Sequence, residues 1–64
     1  MKYKIGDRVE FVEDGKVLSG QVVWTFNLSH HPDGMFLVQV TDFKSKMLSG
    51  DKILGYNTGV VANE

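Results

Sequence analysis

The sequence predicts an all-β fold, a small and strongly bent antiparallel sheet of five short strands that closes into a barrel. Seven glycines and one proline separate short apolar runs, a spacing typical of all-β proteins. No window carries apolar residues at positions i, i+3, i+4 and i+7 without an interrupting glycine, so no helix is predicted. Closure into a barrel is expected because it removes the exposed edge strands of a small open sheet.

The first half of the chain predicts two strands joined by a tight turn. Residues 7–12 alternate apolar and polar side chains, which is the period of a half-buried strand. Residues 13–15 read Glu-Asp-Gly, and Asp-Gly is a strong signal for a short hairpin turn. Residues 17–26 predict the second strand, in which Gly20 indicates a bulge or a sharp bend.

The second half predicts further short strands and one long loop. Residues 29–34 form a turn that contains the only proline, and residues 35–40 form the third strand. Residues 41–52 are rich in polar side chains and are predicted to be a loop. Two short apolar runs follow at residues 53–56 and 59–61. The chain is therefore expected to contain four or five strands.

Length, charge and cysteine content limit the function. At 64 residues the chain is a single domain, residues 1–64, and a domain of this size buries only ~60% of its unfolded surface. Cysteine is absent, which excludes disulfides and fits a reducing compartment, so stability is expected to depend on a compact core, a partner or self-association. The net charge is −1 and no stretch of ~20 apolar residues occurs. We expect a cytoplasmic protein that does not engage a membrane.

Two segments resemble the opening of the Src-homology-3 (SH3)-like small barrels, which include Tudor and KOW domains. They are "IGDRV" at residues 5–9 and "GQVV" at residues 20–23, with Gly15 between them. The resemblance covers roughly residues 5–40. It implies an SH3-like five-stranded barrel, but it does not specify a function, because this barrel serves many functions.

Part of the same frame is similar to the plasmid-type (type II) dihydrofolate reductases, through residues 6–9, 20–24 and 32–34. That family implies a tetramer whose central pore binds dihydrofolate and NADPH. The family lines its pore with a basic residue where this chain has Phe11, and with a Val-Gln-Ile-Tyr segment where residues 52–56 lack glutamine. The frame is shared and the pore residues are not. A reductase-like oligomer is therefore an alternative, and no cofactor is expected.

Apolar residues on the second face of the strands indicate an interaction surface. In the third predicted strand every second residue fills the core face, which leaves Met35 and Leu37 on the face that normally meets water. Val12 and Val23 are placed in the same way, and Trp24 belongs either to the core or to a binding patch. We predict that a protein partner or a second copy of the chain covers this surface. The residues expected to contact it are Trp24, Phe36, Leu37, Val23 and Val12.

The loop predicted at residues 41–52 carries the only local excess of basic residues. Its lysines can contact phosphates and an aromatic side chain can stack on a base, although Asp42 and Asp51 partly cancel the charge. Nucleic-acid binding of the KOW or Tudor type is therefore the alternative function. The residues expected to carry it are Lys44, Lys46, Lys52 and Phe43.

Motifs for catalysis or metal binding are weak. His30 and His31 are adjacent, and adjacent side chains on extended backbone point in opposite directions, so we expect a polar turn and no metal site. The sequence has no cysteine nucleophile, no Gly-x-Ser-x-Gly and no phosphate-binding glycine loop. We predict no catalytic residue and a non-enzymatic interaction module, such as a regulator, an accessory subunit or a viral host-takeover factor.

Overall fold

The computed structural model describes residues 2–56, and it contains five strands and one short helical turn. The predicted all-β class is confirmed. The apolar run at residues 59–61 lies outside the described residues. The elements in chain order are β1 (Arg8–Glu13), β2 (Lys16–Phe26), β3 (Met35–Thr41), β4 (Lys44–Ser49), a 3₁₀ turn (Gly50–Lys52) and β5 (Ile53–Tyr56).

The five strands form one antiparallel sheet in the order β4-β3-β2-β1-β5. Strands β1 to β4 follow one another as a meander, and the chain then crosses to place β5 beside β1. Strands β4 and β5 are the two edges, and no pairing joins them within residues 2–56. The predicted closure into a barrel is therefore not observed as a hydrogen-bonded ladder.

The β1–β2 hairpin and the β3–β4 hairpin each close with a tight turn. Asp14 and Gly15 have φ angles of 53° and 77°, and two successive positive φ angles match the type I′ turn, which suits the twist of antiparallel strands. Asp42 and Phe43 connect β3 to β4, where the Phe43 backbone N–H donates to the Thr41 hydroxyl at 3.2 Å. The turn predicted at residues 13–15 is confirmed.

The prediction of a loop over residues 41–52 is wrong, because β4 occupies its centre. Strand β4 pairs with β3 from Ser45 opposite Gln39 to Ser49 opposite Met35. Its sequence, KSKMLS, is mostly polar, and the Asp-Phe turn before it contains neither glycine nor proline. The strand is set by pairing with an apolar neighbour, which single-sequence patterns do not report.

The core lies on one face of the sheet, and residues 2–56 contribute eight apolar side chains to it. Tyr3, which precedes β1, packs edge-on against Phe36 with ring centroids 5.4 Å apart, and it packs in the same way against Tyr56 at 5.2 Å. Such edge-to-face pairs add about 0.5–1.5 kcal/mol beyond area burial. The core members are Tyr3, Val9, Phe11, Val22, Phe36, Val38, Leu48 and Ile53.

Gly20 lies where β3 approaches β2 too closely for a side chain. A Cβ atom at this position would lie 2.6 Å from the Gln39 carbonyl oxygen and 2.6 Å from a Val38 methyl carbon. Gly20 itself pairs regularly with Val9. The bulge of this strand lies at Val23, where the register with β3 shifts, rather than at Gly20.

No helix among residues 2–56 is long and apolar enough to span a membrane.

Replacement of Gly20 by alanine is expected to destabilise the protein by roughly 1–3 kcal/mol, because β3 must move to admit the methyl group. Urea or thermal unfolding measures this change. Ser19→Ala is the matched control, since Ser19 is the preceding residue and pairs with Glu10 on the opposite face. Equal stability of the two variants would contradict the close approach of β3.

Candidate functional site

The bulge at Val23 decides which side chains of β2 face away from the core. Before the bulge, Val22 lies opposite the buried Val38 and points into the core. A regular strand would then place Trp24 on the same face. The extra residue reverses the alternation, so Trp24 lies on the outer face and 55% of its surface is exposed.

Large apolar side chains form two adjacent rows on this outer face. Trp24 lies opposite Leu37, and Leu37 lies opposite Met47, so one row crosses β2, β3 and β4. Phe26 lies opposite Met35 in the next row. Directly opposed residues have Cβ atoms about 4.5–5.5 Å apart, so these side chains form one continuous surface. We name Trp24, Phe26, Met35, Leu37 and Met47 the outer apolar face.

A polar row borders the outer apolar face. Arg8 lies opposite Gln21, Gln21 opposite Gln39, and Gln39 opposite Ser45, so the row crosses four strands. On the other side, Ser49 lies opposite Met35. An apolar centre without charges inside a polar rim is the usual composition of a protein–protein interface.

The residues predicted to contact a partner fall in three places. Trp24 and Leu37 belong to the outer apolar face, and Val23 is the half-buried bulge residue beside them. Val12 is 51% exposed and lies opposite Val17, toward the β1–β2 turn. The assignment of Phe36 to this surface is corrected, because its side chain is 0% exposed in the core.

The lysines predicted to bind nucleic acid do not share a loop. Lys44 and Lys46 lie on β4, and their Nζ atoms contact the two carboxylate oxygens of Glu13 on β1 at 2.9 and 3.0 Å. Lys52 lies in the 3₁₀ turn at the end of β4. Phe43, at the β3–β4 turn, is 98% exposed. Two of the three cations are therefore already paired with an acid.

Glu13 joins two strands that are not neighbours in the sheet. Strands β1 and β4 are separated by β2 and β3, so the pairing connects the ends of the two hairpins across the core side. The hydrogen bond from Lys44, followed by that from Lys46, lowers the pKa of Glu13 below its ordinary value of 4.5, and partial desolvation opposes this. The Glu13 side chain is only 19% exposed, which limits screening by solvent.

A cleft of about 360 Å³ lies at the end of the sheet opposite the Glu13 ion pairs, between the β2–β3 loop and the 3₁₀ turn. The Gly50 N–H donates to the Gly34 carbonyl at 2.9 Å, and a Cβ at Gly50 would lie 2.6 Å from the Asp33 Cβ. The Ser49 hydroxyl donates to Asp51, which lowers the pKa of that carboxyl. The lining residues are His30, His31, Pro32, Asp33, Gly34, Ser49, Gly50 and Asp51.

Chemistry at this cleft is limited by what its side chains place together. Within residues 2–56, no three histidine, cysteine or acidic side chains are grouped to hold a metal ion. The His30 ring nitrogen Nδ1 lies 3.3 Å from the Ser29 hydroxyl, and both residues are exposed. This contact between sequence neighbours in an exposed loop lacks the further residue that would orient a base.

No protein-family model matches the chain, and no curated protein or solved structure matches it significantly. No relative therefore supports the resemblance to the SH3-like barrels or to the type II reductases. Phe11, which the resemblance aligns with the basic pore residue of those reductases, is fully buried in the core.

The residues predicted from the sequence to contact a partner omitted three members of the outer apolar face, Phe26, Met35 and Met47. Met47 was not recognised in the sequence because residues 41–52 were predicted to be a loop. Phe26 follows Trp24 at a spacing of two, so its orientation depends on the same bulge. The signal that could have located the face was the presence of Met35 and Leu37 on one side of β3.

Acid is expected to remove the stabilisation that Glu13 provides. The carboxyl has a lower pKa in the folded protein than in the unfolded chain, so its contribution is complete above pH 4.5 and is lost as the pH falls through the lowered pKa. Glu13→Gln should flatten this part of the pH–stability curve. Unfolding measured from pH 7 down to acid, beside Glu10→Gln from the same strand, tests the assignment. An unchanged curve for Glu13→Gln would contradict it.

Proposed function

We propose that this protein is a non-enzymatic interaction module that binds a protein partner through the outer apolar face. The observation that carries the proposal is the row Trp24–Leu37–Met47, which crosses three strands with its first and last members about half exposed. An antiparallel sheet normally keeps polar residues on its open face. A contiguous apolar set there indicates a contact surface.

The composition of the face defines the chemistry of the partner. Tryptophan is among the residues that contribute most to binding energy, and methionine adapts its shape to irregular apolar surfaces. None of the five side chains is charged, so the centre of the partner's surface is expected to be apolar. The carboxamides of Gln21 and Gln39 at the rim are suited to hydrogen bonds with backbone or polar groups of the partner.

We also propose that the scaffold is an SH3-like barrel. In support of this proposal, the two segments on which the resemblance is based are joined by backbone hydrogen bonds. The Gly6 N–H donates to the Val22 carbonyl, and the Val22 N–H donates to the Asp7 carbonyl, both at 2.8 Å. The tight turn between them has the positive φ angles described above. A fold of this kind supports binding in general and leaves the partner to be defined by the face.

Nucleic-acid binding is the second candidate, favoured by the full exposure of Phe43 beside Lys44. Against it, Lys44 and Lys46 are paired with Glu13, and the chain carries a net charge of −1. Phosphate binding requires cations that can replace counterions. Binding through the outer apolar face leaves the ion pairs of Glu13 with Lys44 and Lys46 intact. Protein binding is therefore the stronger proposal.

Leu37→Asp is expected to weaken partner binding by about 30-fold or more, because it places a charge at the centre of the apolar row. The partner is the protein retained by the immobilised wild-type chain from an extract of its source. Trp24→Ala provides a second variant at an exposed position, should Leu37→Asp fold poorly. Unfolding curves confirm that each variant is folded.

The matched control is Val17→Asp, which makes the same change at an exposed position of β2 outside the face. The proposal requires that this variant retain the partner. Loss of binding in Val17→Asp together with full binding in Leu37→Asp would place the contact surface elsewhere on the protein.

Salt separates the two candidate functions. Binding through the apolar face should change little between 50 and 200 mM salt, whereas phosphate contacts from the three lysines would lose roughly 20- to 40-fold in affinity over that range. Titration of the chain with the retained protein, and separately with a single-stranded oligonucleotide, at several salt concentrations measures the slope of each. A steep slope that becomes shallower in Lys44→Ala would favour nucleic-acid binding and reject the apolar face.

A further inference from the structure

The two edges of the sheet differ in their ability to accept another strand. Strand β5 has four residues, and its register with β1 shifts between Glu10 and Phe11, which leaves Leu54 as an extra residue. Short and bulged edges resist the addition of a strand. Strand β4 has six residues and pairs with β3 without a shift over residues 45–49. Within the described residues, β4 is the regular edge that no strand covers.

The charges on β4 do not protect this edge in the usual way. Lysines on an edge strand commonly prevent association, because two copies repel each other. Here Lys44 and Lys46 both turn to Glu13 of the same chain. Their charge is partly neutralised before a second copy approaches, and the outer side of β4 presents Ser45, Met47 and Ser49, which are uncharged.

We propose that two copies of the chain associate by antiparallel pairing of their β4 strands, with the two-fold axis at Met47. In this register Met47 lies opposite Met47 of the second copy, Ser45 opposite Ser49, and Lys46 opposite Leu48. The pairing covers residues 45–49 of each chain. This dimer is separate from the proposed binding of a partner and does not depend on that binding.

Other symmetric registers are less favourable. An axis at Lys46 would place the two Lys46 side chains directly opposite each other, and like charges opposed in a sheet are destabilising. An axis at Leu48 or at Ser45 would pair only about three residues of each strand. The Met47 register pairs five residues and opposes no like charges, so β4 favours it.

The pairing extends the binding surface. The row Trp24–Leu37–Met47 ends at the free edge of β4, and Met47 of the second copy continues it. Two rows then form one stripe of six apolar side chains across a ten-stranded sheet. For a domain of 64 residues without cysteine, association of this kind also supplies the stabilisation that small cores lack.

Met47→Cys tests the register, because the natural chain has no cysteine. Opposed residues of antiparallel strands have Cα atoms about 4.5–5.5 Å apart, which lies within the range of a disulfide. We expect Met47→Cys to form a covalent dimer under mild oxidation, seen on a non-reducing gel. Ser45→Cys is the control, because the two Ser45 residues would be four positions apart, or about 14 Å. It should form no covalent dimer and should run as a single chain on the same non-reducing gel, although the non-covalent pairing is kept.

Light scattering of the unmodified chain over a dilution series measures the association itself. The expected mass rises from 7.2 kDa toward twice that value, 14.4 kDa. Met47→Lys, which opposes like charges at the axis, should stay monomeric while its unfolding curve shows that it is folded. A monomeric wild type at every concentration, or equal cross-linking of Met47→Cys and Ser45→Cys, would overturn the proposal.

The outcomes separate this inference from the proposed function. Leu37→Asp lies on β3 and leaves the β4 backbone unchanged, so it should remove the partner and leave the dimer. A protein that dimerises through Met47 but shows no partner sensitive to Leu37→Asp would keep the dimer and reject the proposed function. A monomer whose partner is lost in Leu37→Asp would do the reverse.

Discussion

The single extra residue at Val23 is the feature on which the rest of the structure depends. Without it, β2 would send Trp24 into a core that Phe36 and Phe11 already fill, and the outer face would lose its largest side chain. With it, Thr25 lies opposite Phe36, and Trp24 and Phe26 face outward. The bulge leaves Val23 without a partner residue on β3 and increases the local twist. The added twist also helps β2 to curl around the core.

The curl brings distant strands together on the core side. Strands about 4.8 Å apart would place β1 and β4 about 14 Å apart in a flat sheet. Glu13 reaches Lys44 and Lys46 over this span, so the ion pairs hold two hairpins in one curved arrangement. The same contact lowers the net charge on the β4 edge. Acid sensitivity and the reduced charge of the β4 edge therefore share one cause.

The sequence predicted what local patterns determine and missed what long-range pairing determines. The alternation around Val9 and Phe11 and the Asp14–Gly15 turn follow from short-range preferences, and both are confirmed. The orientation of Trp24 depends on a bulge that no residue type marks. Strand β4 forms because its backbone pairs with β3. Glu13 contacts Lys44, which lies 31 positions away in the sequence. Such contacts are set by tertiary structure.

The sheet of residues 2–56 has two faces, and the buried apolar side chains of these residues lie on one of them. Eight buried residues fill the core side, and a sheet with an apolar second face needs another layer to remove that face from water. Most of the outer apolar face lies on β2 and β3, which are flanked by strands on both sides. Side chains held on central strands lose little further freedom on binding, so more of the burial of Trp24 appears as affinity. The position of the face on central strands therefore supports the proposed binding of an apolar partner.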